Sequence, residues 1–131
     1  MDPSTMSSDE RDREIVTLHD LPTARQLLEA VREWMERDVL TTTSGRVQFH
    51  TRVAINVLAM VERELALGAE QLVRHRERLA SLGFDNDVDL AAAIRRGELD
   101  GDLERVVAAV RADVVDKLRV ANPGYFVAGD T

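Results

Sequence analysis

The apolar positions of this chain recur at three- and four-residue steps, the spacing of one face of an α-helix. The first such series is Leu27, Leu28, Val31, Trp34, Met35 and Val39, with Arg25, Glu29, Arg32, Glu33 and Glu36 filling the gaps. It predicts an amphipathic helix ending near Leu40. Thr23 and Gln26 stand at its start with the spacing of a capping box, in which each side chain satisfies a backbone donor of the other. After a polar loop over 41–45, Val47, Phe49, Val53, Val57, Met60, Val61 and Leu65 predict a second helix, for which Gly68 is a plausible C-terminal cap.

Leu72, Val73, Leu79 and Leu82 predict a third helix over 70–82 that stops at Gly83. The run Asp85-Asn86-Asp87 supplies capping side chains for a short fourth helix that holds Leu90, Ala93 and Ile94 and ends at Gly97. Asp100 and Asp102 then place negative charge where the backbone dipole of a last helix favours it. That helix carries Leu103, Val106, Val107, Val110, Val114, Leu118 and Ala121, and stops before Pro123, because the residue preceding a proline avoids helical geometry. Its valines favour strands by propensity, but their helical spacing decides the matter. The expected fold class is all-α: a single-domain bundle of about five helices over 21–127, behind a disordered acidic leader over 1–20.

Composition narrows what such a bundle can do. The chain has 131 residues, 44% of them hydrophobic, which suits one domain able to hold together by packing. It has no cysteine, so disulfides, thiolate metal sites and thiol catalysis are excluded. No apolar run reaches the roughly 18 to 20 residues of a membrane-spanning helix, and the N-terminus lacks the basic-then-apolar pattern of a secretory signal. A cytoplasmic protein is expected. The net charge of −7 argues against binding nucleic acid through phosphate neutralisation. All the basic residues but Lys117 are arginine, which fits either bidentate anion contacts or the codon bias of a GC-rich bacterial genome.

A search for catalytic or metal chemistry finds little. Asp85-x-Asp87-x-Asp89 opens like a calcium loop, but Leu90 stands where that loop needs glycine and Arg96 where it needs glutamate. His19, His50 and His75 are scattered and form no paired ligand motif. No glycine-rich phosphate loop and no nucleophile elbow around Ser44 or Ser81 is present, so no metal, cofactor or catalytic residue is expected.

The second helix holds the least explained polar residues. At about 100° per residue, Arg52, Asn56 and Arg63 fall within an arc of about 40°. Either these groups are satisfied inside the protein, with Arg52 and Arg63 pairing with acids such as Glu64 or with residues of another helix, or Arg46, His50, Arg52, Asn56 and Arg63 form a surface for an anion or a partner. In the tail, Tyr125 and Phe126 follow the last helix stop. They either fold back or anchor a partner.

Several segments together resemble a small bacterial family classed as a domain of unknown function. They are Leu21-Pro22-Thr23 with Leu27-Leu28-x-x-Val31; Gly45-Arg46-x-x-Phe49-His50-x-Arg52-Val53-Ala54-x-Asn56; Glu62-Arg63-Glu64-Leu65-x-x-Gly68; and Lys117-Leu118-x-x-Ala121-Asn122-Pro123. The resemblance runs from about Leu21 to Tyr125. Members of that family are typically encoded beside an aminoglycoside-phosphotransferase-like kinase and an acyl-CoA-dehydrogenase-like enzyme. The resemblance therefore implies an accessory subunit of a hydroxyacyl-CoA kinase, with that kinase as partner and no activity of its own. Two other readings stand beside it: a small domain whose arginine stripe holds a CoA-type anion while His50 or Glu64 moves a proton, and a self-associating helical protein, a homo-oligomer, without a ligand.

Overall fold

The computed structural model describes Leu18 and residues 21–126. Among them no strand occurs, and four helices carry the chain. We name them α1 (Ala24–Trp34), α2 (Gly45–Ser81), α3 (Asp87–Arg95) and α4 (Leu103–Ala121). Apart from Leu18, the leader expected over 1–20 lies outside the described residues, as does Val127 at the expected end of the domain.

Several boundaries follow directly from local chemistry. The capping box of α1 is complete: the Thr23 hydroxyl accepts from the Gln26 amide at 3.2 Å, and the Gln26 side-chain oxygen accepts from the Thr23 amide at 2.9 Å. Past Trp34 the backbone widens into a π-helical turn over Met35–Val39 and closes with a helical turn over Leu40–Thr42. The hydroxyls of Thr41, Thr42 and Thr43 there donate to the carbonyls of Arg37, Asp38 and Val39, hydroxyl-to-backbone bonds that compete with the helical ladder at its end. Asn86 caps α3 by accepting from the Asp89 amide at 2.9 Å, and α4 ends at Ala121, short of Pro123.

One expectation needs correction. The second and third helices foreseen from sequence are a single helix of 37 residues, and Gly68 lies inside it rather than capping it. A glycine ends a helix by adopting positive φ, which Gly45, Gly83 and Gly97 do and Gly68 does not. Gly68 is flanked by Glu64, Leu65, Ala66 and Leu67 on one side and Ala69, Glu70, Gln71 and Leu72 on the other. These strong helix formers offset the roughly 1 kcal/mol that an interior glycine costs.

The chain divides into two compact units, Met1–Leu58 and Ala59–Thr131, with the division inside α2. In the first unit, α1 buries no residue, and Thr51 on α2 is buried with its hydroxyl donating to the Val47 carbonyl at 2.7 Å. In the second, Leu79 of α2, Leu90 and Ala93 of α3 and Val106 of α4 form the buried apolar core. Here α4 runs antiparallel to α2. Arg63 reaches Val120, Gln71 and Arg74 reach Asp116, Arg78 reaches Asp113, and Arg105 reaches back to Ser81.

Candidate functional site

The polar stripe foreseen on the second helix divides when the chain folds. Arg46, His50, Arg52 and Asn56 all lie exposed on the first half of α2. Arg46 Nε–H donates to His50 Nε2 at 3.4 Å, and the His50 ring meets Phe49 edge-on with centroids 5.5 Å apart. The side chains of Arg52 and Asn56 make no hydrogen bond or ion pair among the described residues. Phe49, Val53 and Val57 are exposed beside them. The result is a mixed surface of guanidinium, imidazole, amide and apolar groups on one helix.

Arg63 has a different part. It belongs to the second unit, and its Nε–H donates to the Val120 carbonyl at 2.7 Å. That carbonyl is among the last four of α4, which have no partner within their own helix, so Arg63 caps α4 from a neighbouring element. Of the two pairings expected for Arg63, the structure shows the one with a residue of another helix rather than with Glu64, because the carbonyl end of a helix attracts a cation. Tyr125 is 64% exposed, whereas Phe126 is half-buried, and the two rings pack edge-on with centroids 6.1 Å apart.

The densest polar arrangement lies between α2 and α4 in the second unit. Asp116, only 6% exposed, accepts from Arg74 Nε and Nη2 at 3.3 Å each and from Arg78 Nη1 at 3.0 Å. Arg78 Nη1 also donates to Asp113 Oδ1 at 2.7 Å, and Gln71 donates to the Asp116 carbonyl at 2.8 Å. His75 spans two carboxylates, Nδ1 to Asp113 Oδ2 at 2.9 Å and Nε2 to Asp87 Oδ2 at 3.0 Å. It thereby ties the first turn of α3 to both long helices. Among the described residues no buried side-chain nitrogen or oxygen lacks a partner.

Electrostatics follow from this geometry. The Asp113 hydrogen bond raises the His75 pKa above its ordinary value; partial burial opposes the rise and Asp87 adds to it. For Asp116, burial pushes the carboxyl pKa up, but the hydrogen bonds from Arg74 and Arg78 outweigh it and hold the group below the usual range. Both shifts favour the charged forms, an imidazolium between two carboxylates and a carboxylate between two guanidiniums. The nearby Ser81 hydroxyl is occupied in donating to the Arg78 carbonyl at 2.7 Å.

Sequence reasoning placed a helix over 70–82 on its apolar positions and missed this cluster. The signal was present: Gln71, Arg74, His75 and Arg78 repeat at steps of three, one and three, and Asp113 and Asp116 share a face of the last helix. Polar residues at the spacing of a packing face mark a polar seam. Among the described residues, no group of three or more His, Asp or Glu side chains is placed to hold a metal ion. No helix there is long and apolar enough to cross a membrane.

These features define a small all-helical domain in which a saturated ion-pair seam joins two antiparallel helices and an open polar surface lies elsewhere on α2. The chain belongs to the family described as domain of unknown function DUF6285, whose profile matches residues 41–125. The match takes in α2, α3 and α4 and leaves α1 outside, a shorter span than the resemblance from Leu21 suggested. No curated protein and no solved structure matches the chain.

Proposed function

We propose that this protein is a non-catalytic accessory subunit that binds an aminoglycoside-phosphotransferase-like kinase acting on hydroxyacyl-CoA. The partner comes from the family resemblance, and the mode of action from the surface of α2. The observation that carries the reading is that Arg52 and Asn56 stand exposed without a partner among the described residues, next to exposed Phe49, Val53 and Val57. Arginine and aromatic side chains on a rigid helix are the residue types that dominate protein interfaces. A helix face that keeps them in water has its hydrogen-bonding capacity open for a second protein. Tyr125 offers a separate aromatic anchor.

Coexpression with the kinase tests this. The two proteins are expected to copurify, and Arg52→Glu combined with Phe49→Ala is expected to abolish copurification while leaving the helical content unchanged. Separate migration of the wild-type proteins, together with a kinase fully active alone, would refute the proposal. If instead acyl-CoA esters raise the thermal stability of the isolated chain, the surface is a ligand site, since a ligand bound to the native state must stabilise it.

A further inference from the structure

Among the described residues of the second unit, exposed large apolar side chains outnumber the buried apolar ones. On α4, Leu103, Val107, Val110 and Val114 are 58, 54, 42 and 47% exposed. Their steps of four, three and four are those of a coiled-coil seam. The seam lies about 120° around α4 from Asp113, Asp116 and Val120, the positions bonded to α2. On α2, exposed Val61, Leu65 and Leu72 lie about 140° from Arg63, Gln71, Arg74 and Arg78, the positions bonded to α4. Both rotations follow increasing residue number, and in an antiparallel pair that carries both sets to the same side of the two helices.

We infer that the Leu103–Val114 face of α4 is a homodimer interface, in which α4 of one copy packs antiparallel on α4 of a second copy about a two-fold axis. Two observations select a second copy over another partner. First, the four-three-four spacing reads the same in both directions, so a two-fold operation sets Leu103 against Val114 and Val107 against Val110, each twice. A two-fold interface requires this self-complementarity. Second, the charges flanking the seam are self-complementary. Glu104 and Arg111 stand seven residues apart along one edge of the seam. Both are exposed and without an ion pair among the described residues. The antiparallel register brings Glu104 of each copy beside Arg111 of the other.

The paired positions from Leu103 to Val114 span about 18 Å of α4, a contact at the small end of specific interfaces. The interface involves none of Arg46, His50, Arg52 or Asn56, so it stands independently of the proposed kinase-binding surface.

Sedimentation equilibrium of the isolated full chain from about 1 to about 200 µM, the range suited to an interface at the small end of the specific class, measures the association. A reversible monomer–dimer equilibrium is expected. Val107→Glu/Val110→Glu is expected to weaken it about 100-fold or more, a loss equal to two factors of ten in dissociation constant. Glu104→Arg leaves guanidiniums facing one another and is expected to cost about tenfold, as is Arg111→Glu, which opposes carboxylates. The double exchange Glu104→Arg/Arg111→Glu is expected to restore the wild-type constant. Circular dichroism checks that all variants, substituted only at exposed positions, keep the helical fold. A monomer at the highest concentration, a dimer unaffected by the valine substitutions, or a double exchange no tighter than either single one would overturn the inference.

Discussion

Replacing Asp116 by Asn tests whether the seam between α2 and α4 contributes stability through charge. The substitution preserves shape and removes one negative charge from a site that is 6% exposed. Arg78 keeps Asp113 at 2.7 Å, whereas Arg74 loses the carboxylate it contacts at 3.3 Å. A hydrogen bond to a charged group contributes about 1.5 to 3 kcal/mol when well formed and desolvated. The Arg78 contact, with a side chain 22% exposed, stands near the low end of that range. The Arg74 contacts are long and that side chain is 40% exposed, so screening leaves them about 0.5 kcal/mol. The sum is a destabilisation of about 2 kcal/mol, which lowers the midpoint of a domain of roughly 100 residues by about 8 to 16 °C. Urea unfolding followed by circular dichroism should show a lower midpoint at unchanged slope. A loss below about 0.5 kcal/mol would mean that desolvation of the carboxylate cancels its contacts and that the seam specifies geometry rather than stability.

Other perturbations separate the remaining parts of the argument. Because the His75 pKa is raised on folding, its contribution should be complete below the unfolded value of about 6.5 and fade as pH rises through the folded value. Stability measured across that window should fall for the wild type and stay flatter for His75→Gln, and a rise with pH attributable to His75 would contradict the two-carboxylate arrangement. At low pH the sign reverses for Asp116: its lowered pKa makes stability fall as acid titrates it, and Asp116→Asn should remove that part of the acid sensitivity. Gly68→Ala should stabilise the protein by about 1 kcal/mol, because the helix is continuous there and the added methyl meets only Glu64 Cγ at 3.8 Å. Gly83→Ala should destabilise by about 1 kcal/mol, since φ is +87° at that turn; equal effects at the two glycines in thermal melts would refute the single-helix reading. Thr23→Ala should cost about 1 kcal/mol by removing the cap of α1, read from the same melts.

Much of the fold was legible because its signals are local. Thr23 with Gln26, Asn86 before α3, Gly83 and Gly97 at positive φ and Pro123 beyond α4 each act within four residues, and each stands where periodicity placed it. Gly68 misled because glycine serves two purposes. Nothing within a few residues tells an interior glycine from a cap, and the difference lies in whether the chain beyond it finds a packing surface for continued helix. The stripe on α2 was only partly legible for a similar reason. Helical angle grouped Arg63 with Arg52 and Asn56, but the group that satisfies Arg63 is a carbonyl 57 residues away.

The sequence by itself determined that the protein is helical, where most helices start and stop, and that cysteine chemistry and a phosphate loop are absent, since these depend on residue type and short spacing. Tertiary structure alone decided which charges meet. It joined Arg74, His75 and Arg78 to Asp113 and Asp116, assigned Arg63 to the end of α4, and left Arg52, Asn56, Glu104 and Arg111 facing outward. An ion pair is a relation between two helix faces, and only the rotation of one helix against another fixes which faces meet.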